Sequence, residues 1–140
     1  MKALYLSLFT VIIFSCKPNY SSFIGDWVIV DMKYNDDQFL QFITVANIRI
    51  SLEGGVVPGL FDSEFKDEKV NTNDSFVFEE KDGEIYVSIK GSNFFNDEFK
   101  ISCLDVNCCE ILLENFDKRV RCVYNGALSP FESARGECLK

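Results

Sequence analysis

Ser75-Phe76-Val77-Phe78-Glu79-Glu80-Lys81-Asp82-Gly83-Glu84-Ile85-Tyr86-Val87-Ser88-Ile89-Lys90 is the stretch on which the fold turns. Two runs that mix apolar and polar residues at period two flank Asp82-Gly83, a pair whose left-handed backbone preference suits the type I′ turn of a two-residue hairpin. Closing that turn with Lys81 opposite Glu84 places Phe78 opposite Val87 and Phe76 opposite Ile89 on one face, with Val77 and Ser88 on the other. Turn chemistry and hydrophobic pattern therefore demand the same register.

The same test works further along the chain. Setting Glu114 opposite Arg119 around Asn115-Phe116-Asp117-Lys118 brings Leu113 against Val120 and Ile111 against Cys122. A third hairpin joins Phe99-Lys100-Ile101-Ser102-Cys103 to Cys109-Glu110-Ile111 through a turn at Asp105-Val106-Asn107. Upstream, Asn47-Ile48-Arg49-Ile50-Ser51-Leu52 alternates strictly, so Ile48, Ile50 and Leu52 are expected to share one face. Consecutive hairpins make an antiparallel meander, and one with a single apolar face must curl or close to protect it. The expected fold is thus all-β: a small antiparallel meander closing into a barrel. Apolar residues at helical spacing over residues 36–43 suggest a short helix or lid. Ser129-Pro130-Phe131-Glu132 fits a capping box, and with Gly136 as a stop it predicts a short C-terminal helix. No internal repeat or linker divides the chain.

At 140 residues there is apolar material for one small domain. Acidic side chains outnumber basic ones by 22 to 14, a formal charge of -8, so a nucleic-acid partner is not expected. There is no histidine, which removes Ser-His-Asp and Cys-His nucleophile systems and imidazole proton shuttles. No other catalytic constellation is recognisable, no cofactor is implied, and the expectation is a protein that is not an enzyme. Carboxylates such as Asp36-Asp37 and Glu79-Glu80 read as solvated faces and turns.

Lys2 followed by an apolar run from Leu4 to Phe14 has the layout of a secretory signal peptide, and the run is too short to span a bilayer. Its end, Ile13-Phe14-Ser15-Cys16, resembles the lipobox of bacterial lipoproteins, in which the cysteine is lipidated and becomes the first residue. That resemblance implies a signal peptide over residues 1–15, a lipidated tether over 16–22 with Cys16 as the acylated residue, and a folded domain over 23–140. It also implies a cell-envelope location, with attachment to a membrane through the lipid rather than a spanning helix.

The folded part opens with Phe23-Ile24-Gly25-Asp26-Trp27, and the Gly-x-Trp before the first strand is similar to the opening motif of lipocalins and related small barrels. The resemblance implies an abbreviated lipocalin-like barrel in which Trp27 plugs the closed end and an arginine, Arg119, Arg121 or Arg135, packs over it. Trp27, Phe76, Phe78, Val87, Ile89 and Phe99 would then line a site for a small apolar ligand. A competing reading from another class is an envelope protein-interaction or inhibitor module, using acidic loops such as residues 61–74 and the Phe94-Phe95 pair, which is expected to be exposed.

Five cysteines lie in the expected domain: Cys103, Cys108, Cys109, Cys122 and Cys138. In an oxidising compartment they can form at most two bonds within the chain. Alternation points Cys109 and Cys122 inward, and a bond from Cys138 back to the barrel would pin the terminal helix. A thiolate metal site from Cys103, Cys108, Cys109 and Cys122 is the weaker reading, because Cys-x4-Cys-Cys is not paired Cys-x2-Cys spacing, and no metal is expected.

Overall fold

The computed structural model describes residues 19–43, 46–58, 74–91, 94–125 and 138. The signal-peptide stretch, Cys16, residues 61–73, Arg135 and the helix expected over 129–136 lie outside these residues. Among the described residues eight antiparallel strands are formed: β1 (Gly25–Tyr34), β2 (Asp37–Gln38), β3 (Asn47–Ile50), β4 (Ser75–Lys81), β5 (Glu84–Lys90), β6 (Asp97–Cys103), β7 (Glu110–Glu114) and β8 (Lys118–Tyr124). Single 3-10 turns at Tyr20–Phe23 and Leu40–Phe42 complete the described part, which contains no α-helix.

The meander is as expected from β4 to β8. Phe76 pairs with Ile89, Phe78 with Val87 and Lys81 with Glu84. Asp82 and Gly83 both take positive φ, 53° and 79°, as a type I′ turn requires. In the next hairpin Ile101 opposes Leu113, and Cys103 opposes Ile111. In the last, Leu113 opposes Val120, Ile111 opposes Cys122 and Glu114 opposes Arg119.

The sheet does not close into a barrel. Its order is β2-β1-β8-β7-β6-β5-β4, with β3 lying on β1. The N-terminal half of β1 pairs with β3, from Gly25 opposite Ile50 to Val28 opposite Asn47. Its C-terminal end pairs with β2. Among the described residues between β3 and β4 there are two isolated bridges, Arg49 with Val56 and Gly55 with Asp74, and no ladder. The chain leaves the ladder between the two strands. β3 ends at Ile50, the chain turns at Leu52 and Glu53, and Pro58 follows the bridging pair without an N–H to continue it. Leu52, expected beside Ile48 and Ile50 in the core, is 63% exposed for the same reason.

One irregularity sets the faces of β1. Its register with β8 shifts between Ile29 and Asp31, so Val30 is an extra residue. Before this bulge Trp27 and Ile29 point inward; after it Met32 is buried and Lys33 is turned to the outer face, opposite Arg119. Strict alternation from Trp27 would have sent Lys33 inward.

The apolar faces meet in one core that includes Trp27, Ile48, Ile50, Val87, Phe99, Ile111 and Cys122. Residues 36–43 form β2 and a 3-10 turn in place of the expected helix, and they lay Phe39 against Phe94, ring centroids 5.7 Å apart. Phe94 and Phe95, expected at the surface, are both 0% exposed, Phe94 packing on Phe39 and Phe95 on Phe99. The exposed apolar contact assigned to them is therefore incorrect.

Candidate functional site

The six residues expected to line a ligand site are brought together, but as core. Trp27, Phe76, Val87, Ile89 and Phe99 belong to the buried cluster, and Phe78 sits at its rim, stacked on Tyr20 at 4.9 Å and Phe23 at 6.1 Å. These side chains pack against one another beneath an unclosed sheet, and that overturns the lipocalin-type binding of a small apolar ligand. Trp27 donates its indole N–H to the Phe23 carbonyl at 2.9 Å and meets Tyr124 edge-on at 5.5 Å. Arg119 and Arg121 alternate with the buried Val120 and Cys122, so they face away from the side of β8 that Trp27 occupies. Arg121 is instead paired with Glu110 at 3.1 Å.

The cysteines form two disulfides, Cys103–Cys108 and Cys109–Cys138, and leave Cys122 as a buried thiol. Burial pushes that thiol's pKa far above its ordinary value, so it is held protonated and unreactive. Three of the four sulfurs of the thiolate reading are thus consumed in bonds. No cluster of three potential metal ligands occurs among the described residues.

The Cys103–Cys108 bond closes the β6–β7 turn, bringing the two Cα atoms to 4.8 Å. Hydrogen bonds stiffen the loop it encloses. Leu104 N donates to Glu110 O at 2.9 Å, Cys108 N to Asp105 O at 3.1 Å, and Glu110 N to the Asp105 carboxylate at 2.8 Å. At the tip Val106 is 97% exposed, with Leu104 half-exposed beside it.

The other end of the sheet carries a polar network and a cleft. Asn115 shapes the β7–β8 turn by accepting from the N–H groups of Asp117 and Lys118 on its side-chain oxygen, at 3.2 and 3.0 Å. Its amide donates to Asp97 at 3.0 Å. Lys118, also 3.0 Å from Asp97, is almost fully buried. Burial alone would raise the Asp97 carboxyl, but hydrogen bonds from Lys118, the Glu98 N–H and Asn115, together with the Lys118 charge, hold it below the usual carboxylate value. Beside this network a surface cleft of about 290 Å³ is lined by Lys33, Asn35, Asp36, Glu114, Arg119 and the turn between them. None of the six predicted ligand residues lines it.

No family model, no curated protein and no solved structure matches this chain. With an unclosed sheet and no such relative, the resemblance to bacterial lipoproteins carrying a lipocalin-like barrel is overturned. Sequence reasoning missed two features, the Val106 tip and the Lys33–Arg119 face of the cleft. The first had a visible signal, an apolar residue in a turn bracketed by cysteines. The second had none, because it depends on the bulge at Val30.

Proposed function

We propose that this is a non-enzymatic protein-binding domain of an oxidising compartment of the cell envelope. The observation that carries the reading is the disulfide-closed loop holding Val106 and Leu104 outward on a hydrogen-bonded frame. A single exposed valine is ordinary on a protein surface. A rigid, convex apolar tip is less so, because its ordering entropy is already spent before any partner arrives. The occupant that fits is a protein presenting a concave apolar pocket for Val106. Since the chain carries a formal charge of -8, a basic rim around that pocket would steer the encounter, giving association that slows as salt rises. Two disulfides and the apolar run after Lys2 support the compartment.

The test is a photo-reactive side chain placed at position 106 of the full chain in its native cells, with position 82, on another exposed turn, as control. A discrete cross-linked protein is expected at 106 alone, and it should disappear when Cys103 and Cys108 are both replaced by Ser. Equal labelling from both positions, or a product indifferent to the disulfide, would sink the reading.

A further inference from the structure

We propose that the cleft beside the β7–β8 turn binds a small organic oxyanion, a carboxylate or phosphate, between Lys33 and Arg119, with its apolar part against Phe116. This stands apart from the protein-binding reading and uses the opposite end of the sheet.

Lys33 and Arg119 are direct cross-strand partners in the β1–β8 register, on the outer face. Side chains so placed have Cβ atoms about 5 Å apart, and like charges there repel. The chain reaches this arrangement only through the Val30 bulge, which turns Lys33 outward. Among the described residues neither cation makes an ion pair or a side-chain hydrogen bond, and the same holds for the exposed Lys90, whereas Arg49, Lys81, Lys100, Lys118 and Arg121 are each paired with a carboxylate. An oxyanion held between the two would offset the repulsion, and the planar guanidinium suits its paired oxygens.

Three carboxylates also line the cleft, Asp36, Glu114 and Asp117. They form no cluster that could hold a metal ion among the described residues. Glu114 is the direct cross-strand partner of Arg119 on one side and of Lys100 on the other, so one carboxylate stands between two cations and Lys33 is left without one opposite it. Asp36 and Asp117 lie in the turns, where they would repel a polyanion and admit one small charged group. Phe116 completes the site. It is 103% exposed at the tip of the turn, packs into no core, and lines the cleft. An aromatic edge there offers a wall to a ring or short alkyl chain.

Full-length protein is titrated with phenyl phosphate, benzoate and inorganic phosphate at matched ionic strength, with binding read by calorimetry and by saturation transfer to the ring protons. Saturable binding of phenyl phosphate, benzoate or both is expected, and the comparison identifies which oxyanion is preferred. Lys33→Gln and Arg119→Gln should each weaken it about tenfold, the loss of one charge-assisted hydrogen bond. Phe116→Ala should abolish the preference of the site for the aromatic probe over inorganic phosphate. The unliganded Lys33→Gln protein should melt no lower than the parent, because its repulsion with Arg119 has been removed while Arg119 keeps Glu114 opposite it. No saturable binding, binding that survives both charge variants, no preference for aromatic probes, or lowered melting of the unliganded Lys33→Gln protein would each overturn the proposal.

Discussion

Lys118 Nζ donates to Asp97 Oδ2 at 3.0 Å while lying over the rings of Phe94 and Phe99, 5.5 and 6.0 Å from their centroids. This buried ammonium ties the β7–β8 turn to the start of β6 and roofs the aromatic end of the core. Its charge is compensated on one side by a carboxylate and on the other by the negative faces of the rings.

The pair makes stability depend on acid. The folded pKa of Asp97 lies below the unfolded one, so its contribution is complete above the unfolded pKa and is lost as pH falls through the folded value. Urea unfolding from neutral pH down to about pH 3 should show stability falling on the acid side. In Asp97→Asn the neutral-pH stability should drop and that part of the acid limb should flatten. An acid limb unchanged in slope would show that Asp97 is not its source.

Two phenylalanines in neighbouring turns should respond very unequally. Phe94 is fully buried between Phe39, Phe95 and the Lys118 ammonium, so Phe94→Ala should cost about 3 to 5 kcal/mol in denaturant unfolding. Phe116 touches no core, so Phe116→Ala should stay within about 0.5 kcal/mol of the parent.

The disulfides should differ in what they contribute. Cys103 and Cys108 are 5 residues apart and Cys109 and Cys138 are 29, so loop-closure entropy assigns about 2 and about 3.5 kcal/mol to them. Paired Cys→Ala variants measured by thermal and denaturant unfolding should rank in that order. The shorter bond should matter more for the Val106 tip than for global stability.

Gly55 sits where the β3 and β4 edges meet, bonded to Asp74 in both directions at 2.7 and 2.8 Å. A Cβ at this position would run into the Arg49 carbonyl and the Phe76 ring. Gly55→Ala should therefore destabilise by about 1 to 3 kcal/mol. Hydrogen exchange should speed up first at the amides of Arg49, Val56 and Asp74. Uniform exchange across the sheet would instead place the damage elsewhere.

The hairpin registers from β4 to β8 could be read in the chain itself. Period-two alternation and the Asp82-Gly83 turn act over a few residues, and nothing distant competes with them. The all-β class and the inward faces of Phe76, Val87, Ile89, Ile111 and Val120 follow from the same local rules. Both proposed sites were largely hidden. Val106 was visible as an apolar residue between cysteines, but the pairing of Cys103 with Cys108 among several arrangements is a matter of which sulfurs the folded sheet brings within bonding distance. Lys33 and Arg119 face each other only because Val30 adds one residue to β1, and a single inserted residue reverses every side chain beyond it. Tertiary structure alone buried Phe94 and Phe95. It also left the sheet unclosed, because closure depends on how far β3 runs and on which strand it lies beside, contacts made between residues far apart in the chain.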